Sequence, residues 1–190
     1  LKAEHPMPFA DCMAGALVWS LHSGMRWTGS SMSVVGAGAV VLVVGLIDDF
    51  VRELSPWQKL LGQSLAWWLL WRGGIIAHMV FLPAWANLLV SLLWTLAIIN
   101  AFNLLDVADG LAVGIGLIAT GTFLILSLLA GQTALAGALA GLCGALAGVL
   151  MFNFPKATLF LGDSGSLLLG LLLAAFALAV SYAPLGREIA

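Results

Sequence analysis

Charge is what this chain has least of. Only 8% of its 190 residues are Asp, Glu, Lys or Arg, against about a quarter in a soluble domain. So few charges cannot clothe a water-facing surface, which excludes a soluble monomer. The net charge of −2 provides no basic footprint for nucleic acid, and no nucleic-acid partner is expected. Cysteine is scarce as well. Cys12 and Cys143 lie far apart, the second inside an apolar run, so both read as small packing residues rather than a disulfide framework. Residues 1–11 show no charged-then-apolar leader pattern.

Apolar runs are what the chain has in plenty. It is 62% hydrophobic with a mean hydropathy of +1.10, and a spanning helix needs about 20 mostly apolar residues. The runs fall at about Ala10–Met25, Ser33–Ile47, Trp57–Trp71, Ala84–Phe102, Leu111–Ala130, Ala134–Phe152 and Leu167–Tyr182. The first is broken by Ser20, His22 and Ser23, and the third is short. Apolar and polar residues do not alternate within the runs, which argues for helices and against a barrel. The expected fold is all-α, a polytopic transmembrane helix bundle of about six to seven spans, forming one membrane domain over residues 1–190. Trp27, Trp57, Trp71 and Trp85 stand near span ends, where interfacial anchors belong.

The polar residues collect in three loops. The first holds Asp48, Asp49, Arg52 and Glu53. The second runs from Asn100 through Asn103 and Asp106 to Asp109. The third runs from Asn153 to Ser166 and includes Asp163. Two spans separate each loop from the next, so by parity all three share one side of the membrane. Basic residues lean weakly the same way, which marks that side as cytoplasmic. A re-entrant segment at Arg72–Pro83 would break the parity.

Each loop suggests chemistry. Adjacent carboxylates at Asp48 and Asp49 repel one another and favour a cation or a raised pKa. Asn100, Asn103, Asp106 and Asp109 recur every three residues. On a helix continuing past Phe102 they would form a band of hard oxygen ligands suited to Mg²⁺. The Gly162–Ser166 string precedes an apolar helix and could offer backbone N–H groups to phosphate. It looks like a serine-protease segment, but His5, His22 and His78 supply no context for that chemistry. Lys59, with Gln63 one turn on, is either a snorkelling side chain or a phosphate contact. Together these groups suggest a phosphoryl-transfer site at the membrane boundary.

Gly45-Leu46-Ile47-Asp48-Asp49, Lys59-Leu60-Leu61-Gly62-Gln63, Asn100 through Asp106 with Asp109-Gly110-Leu111, and Phe160 through Ser166 occur in this order. Over about residues 33–182 they resemble the polyprenyl-phosphate N-acetylhexosamine-1-phosphate transferases (the glycosyltransferase 4 type). The likeness is nearer to the undecaprenyl-phosphate GlcNAc-1-phosphate branch than to the phospho-MurNAc-pentapeptide translocase. The resemblance implies Mg²⁺-dependent transfer, with Mn²⁺ as a substitute, from a UDP-sugar to undecaprenyl phosphate, releasing UMP and initiating a cell-envelope glycan. It implies a multi-pass protein of the bacterial cytoplasmic membrane with its site on the cytoplasmic face, and leaves a homodimer open. It carries Asp163 and Asn103 over as metal ligands and Asp48 or Asp49 as the group that deprotonates or orients the lipid phosphate. Lys59 and Asp106 become substrate-binding residues, Phe160 stacks on uracil, and Asp109 holds the nucleoside.

Departures are visible too. Pro6-Met7-Pro8-Phe9 lacks the arginine and glycines of the family's N-terminal pattern, Val107 replaces a glycine, and the His-rich loop is missing. These predict a fragment of a larger transferase. The competing readings are a truncated inactive homologue or membrane scaffold and, further off, a cation or proton transporter. A transporter would carry its acids near mid-span rather than at span ends.

Overall fold

The computed structural model of the protein describes residues 29–51, 53–79 and 81–180. The expected first segment, Ala10–Met25, lies outside them. Every regular element among the described residues is a helix. They are α1 (Gly29–Phe50), α2 (Pro56–Arg72), α3 (Ala84–Leu105), α4 (Leu111–Leu129), α5 (Thr133–Asn153) and α6 (Gly162–Ala179). Five of the six are long and apolar enough to cross a membrane; α2, at 17 residues, is the exception. All-helical in its described residues, the chain is a multi-pass membrane protein.

One difference from expectation bears on the site. The last helix begins at Gly162, not near Leu167, so Asp163 sits in its first turn instead of before it. Gly162 makes the turn with φ +66, a left-handed conformation that favours glycine.

The described residues form two units. In the first, from the described part of Arg26–Ala108 together with Leu161–Ala179, α6 packs on α1 and α3 while α1 also packs on α2. The central position of α6 shows in its burial: 67% of its span is buried, against 22% for α1 and for α3. Leu167, Leu171 and Ala175 of α6 meet Ala37 and Val41 of α1, Ala66 and Leu70 of α2, and Ile99 of α3. Lipid tails are as apolar as these side chains, so close packing rather than water exclusion holds such helices together. Two glycines permit it. A Cβ on Gly45 of α1 would overlap the Ser164 backbone, and one on Gly170 of α6 would come within 2.7 Å of the Ile99 Cα.

The segment between α2 and α3 is not helical, and its backbone is tied to α3. Ser91 Oγ accepts the Ala77 N–H at 2.7 Å and Asn87 Oδ1 accepts the Met79 N–H at 3.1 Å. At this end Arg72 lies over the Trp68 ring, and Trp67 stacks on Trp71.

The second unit spans Asp109–Phe160. It is a hairpin of α4 and α5 joined by a turn at Gly131, which has φ +70. Thr120, Thr122 and Ser127 return their hydroxyls to carbonyls of their own helix, which satisfies them within an apolar span.

Candidate active site

Four helix ends meet in the first unit: the C-termini of α1 and α3 and the N-termini of α2 and α6. Lys59, in the first turn of α2, is the hub. Its Nζ lies 2.7 Å from Asp48 Oδ2 and also pairs with Asp163 Oδ2. Asp48 is held from its other side as well, because Oδ1 accepts the Leu54 N–H at 2.6 Å. That bond closes the turn between α1 and α2. Pro56 opens α2, and the Ser55 N–H donates to Gln58 Oε1 at 3.0 Å, so the helix that presents Lys59 is well started.

Asp49 does something different from its neighbour. Its Oδ1 accepts the Asp163 N–H at 3.0 Å and its Oδ2 accepts the Ser164 N–H at 2.9 Å. It therefore caps α6 from another helix, supplying the acceptors that the first turn lacks. Asp106, just past the end of α3, lies near the Gly162 N–H, and Gly165 N–H reaches the Leu161 carbonyl. The Asp163, Ser164 and Gly165 N–H groups are thus satisfied by protein. The expectation that the Gly162–Ser166 string offers its N–H groups to a phosphate is not met at Asp163 and Ser164, because the Asp49 carboxylate of α1 already holds them.

Asn103 faces α6. Its Nδ2 donates to Asp163 Oδ1 and to Ser166 Oγ, both at 3.0 Å, while its Oδ1 meets no donor among the described residues. Asn100 does not join this group. Its amide pairs with Gln63 at 2.7 Å and with the Leu96 carbonyl, so it is not a free oxygen ligand. The expected band of ligands at three-residue steps ends with the helix at Leu105.

Of the four carboxylates Asp48, Asp49, Asp106 and Asp163, Lys59 pairs with Asp48 and Asp163, and no other cation among the described residues pairs with any of the four. The charge imbalance is felt at Asp106. Burial first, then the charges of Asp163 and Asp49, push its carboxyl up to about 6, against the opposing pull of the Gly162 N–H.

Asp109 and Phe160 belong to the other unit. Asp109 Oδ2 accepts the Ala157 N–H at 3.1 Å, so part of this carboxylate holds the loop after α5. Phe160 is 63% exposed. The residue that orders this loop is Asn153, which the sequence reading had only as the start of a loop. It is 3% exposed; its Oδ1 accepts the Gly110 N–H at 2.8 Å and its Nδ2 donates to the Leu159 carbonyl at 2.7 Å. An asparagine closing an apolar helix just before Phe-Pro is the signal that could have marked it. Gly110, with φ +74, leaves no room for a side chain beside the Phe154 ring.

No three or more His, Cys, Asp or Glu side chains among the described residues are arranged to hold a metal unaided. The donor set still suits Mg²⁺, which typically takes one or two carboxylates, keeps waters and completes its shell with substrate phosphate. Asp163 and the open Oδ1 of Asn103 are the groups that fit.

The chain is 34% identical over 178 residues to the decaprenyl-phosphate N-acetylglucosaminephosphotransferase of Mycobacterium leprae, covering 82% of this chain and 44% of that one. It is 32% identical over 179 residues to the phospho-N-acetylmuramoyl-pentapeptide-transferase of Limosilactobacillus fermentum, covering 82% and 54%. It is 29% identical over 171 residues to a probable undecaprenyl-phosphate N-acetylglucosaminyl 1-phosphate transferase of Bacillus subtilis, covering 85% and 46%. The chain therefore spans about half the length of the curated relatives it matches. The family model described as glycosyl transferase family 4 matches residues 31–181, a stretch that holds every one of the carboxylates and amides described above, and the chain belongs to that family.

Proposed function

We propose that this chain carries the catalytic core of a transferase that moves N-acetylhexosamine-1-phosphate from a UDP-sugar to undecaprenyl phosphate. One observation carries the reading: a lysine is pinned between Asp48 and Asp163 at the meeting point of four helix ends. A point charge there suits phosphate, and the helix-end position lets a lipid phosphate and a water-soluble nucleotide reach the same groups.

In the reaction, an oxygen of the lipid phosphate bonds to the sugar-bearing phosphorus. The bond from that phosphorus to the bridging oxygen breaks, and UMP leaves with that oxygen. Such chemistry asks the protein mainly to position groups and neutralise charge. Lys59 would meet phosphate oxygens. Both adjacent acids have their oxygens engaged, Asp48 by the Leu54 N–H and Lys59 and Asp49 by two α6 N–H groups; Asp48, which touches Lys59, is the better candidate to orient the lipid phosphate. Asp163 and Asn103 would hold Mg²⁺, which when bound neutralises diphosphate charge. The family resemblance assigns Phe160 to uracil and Asp109 to the nucleoside; within their own unit Phe160 is exposed and Asp109 accepts the Ala157 N–H. The site would face the bacterial cytoplasm.

The test is UMP release by the complete protein, in detergent with undecaprenyl phosphate, UDP-GlcNAc and Mg²⁺. Turnover is expected, and no UMP under any divalent cation would overturn the reading. Full activity in Asp163→Asn would remove Asp163 from the metal site. Mg²⁺ should also raise the melting midpoint of the wild type more than that of Asp163→Asn, a readout independent of turnover.

A further inference from the structure

One helical turn deeper than the carboxylates lies a second polar contact, which the transfer chemistry does not use. Gln63 is 1% exposed and sits on α2 one turn beyond Lys59. Asn100 sits on α3 one turn before Asn103. Their amides pair reciprocally. Asn100 Nδ2 donates to Gln63 Oε1 at 2.7 Å and Gln63 Nε2 donates to Asn100 Oδ1 at 3.3 Å. With the Leu96 carbonyl also engaged, neither amide is directed at the carboxylates above.

The geometry points to Gln63 and Asn100 as a positioning pair that sets the place of Lys59. The α2 helix packs mainly on α1 and meets α3 more sparingly. Apolar contact sets the spacing between two helices but resists sliding and rotation weakly. A reciprocal amide pair has a donor and an acceptor in each direction, so it resists both. The placement matters because Lys59 must reach Asp48 on α1 and Asp163 on α6 at once. A slip of α2 by one residue is about 1.5 Å, enough to take the ammonium out of contact with one of them. The pair acts on substrate only through Lys59, and its meaning for turnover rests on the transferase reading. Its effect on Lys59 does not.

The experiment separates the two. Gln63→Met and Asn100→Leu replace each amide with an apolar side chain of similar size. The double variant removes both partners together, so no buried amide is left unpaired and stability should change little. Lys59 acylation by acetic anhydride, followed by mass spectrometry on the complete protein in detergent, reads the placement directly. Slow labelling is expected in the wild type. Labelling about tenfold faster is expected in both single variants and in the double, even where the double keeps its melting midpoint. Thr95→Val, which removes a buried hydroxyl of α3 away from Lys59, should leave the rate unchanged. In UMP release, Gln63→Met should lower kcat in the wild type but add little in a Lys59→Ala background. Unchanged labelling in the folded double variant, or additive losses in the Lys59→Ala background, would overturn the pair's role. Absence of UMP from the unsubstituted protein would sink the transferase reading alone and leave the labelling result to decide the pair.

Discussion

Lys59 and Asp106 are the residues whose behaviour is most directly measurable. Lys59 is the sole cation of the described cluster, so Lys59→Ala should lower kcat/KM by about 10²–10³-fold, the usual range for removing one charge-stabilising donor; steady-state UMP release checks it. Asp106 sets a pH dependence. Its folded pKa, about 6, stands above the ordinary 3.8, so the folded chain keeps a proton that the unfolded chain gives up. The associated stability is complete below the unfolded value and is lost as pH rises through the folded one. In divalent-free detergent the melting midpoint should therefore fall between about pH 4 and pH 6. Asp106→Asn, which removes the titrating group, should flatten that part of the curve. Residue identities were largely legible in the sequence, because acids and amides stand out against apolar spans. Partnerships were not. Asp48 and Asp49 look equivalent as neighbours, yet one meets Lys59 and the other caps α6, since side chains on consecutive helical positions point in different directions. Asn100 looked like a ligand because nothing local shows that Gln63 will meet it.

Among the elements, α6 tolerates least. It is packed on both flanks, and Gly45 and Gly170 are where backbone meets backbone. Gly45→Ala should cost about 1–3 kcal/mol, as overpacking does, because the Ser164 backbone cannot move aside as a flexible side chain can. Gly114 of α4 is the contrast, with nothing within 4 Å of where its Cβ would be. Gly114→Ala should be neutral or stabilising by up to about 1 kcal/mol through helix propensity. Melting curves of the two variants in one detergent provide the comparison. The spans were legible from their apolar runs, and α3, α4 and α5 begin and end close to where the sequence puts them. The start of α6 was not legible. Glycine and serine at 162–166 look like loop residues, and the carboxylate that turns Asp163 and Ser164 into a helix start is 114 positions away from Asp163.

At the scale of the whole molecule, topology is the accessible test. Val51, 74% exposed at the carboxylate end of the first unit, and Phe81, 83% exposed at its other end, should lie on opposite sides of the membrane. A cysteine at residue 51 should react with an impermeant maleimide only from the cytoplasmic side, and one at residue 81 only from the opposite side. Labelling of both from one side would overturn the arrangement. That the polar ends gather at one side was readable by counting spans. How they interlock was not, because pairing across helices depends on rotation about each axis, which an apolar run does not specify. The capping of α6 by Asp49 also has a consequence for biogenesis. As the chain leaves the ribosome, α6 is the last of these helices to appear, and the N–H groups of Asp163 and Ser164 find their acceptors on α1, which is already in the bilayer. Asp163 therefore reaches its working place only when the earlier helices stand correctly side by side. A chain with a mis-inserted first helix would carry an uncapped, fraying end on α6, a local lesion that membrane quality-control proteases could find without any test of catalysis.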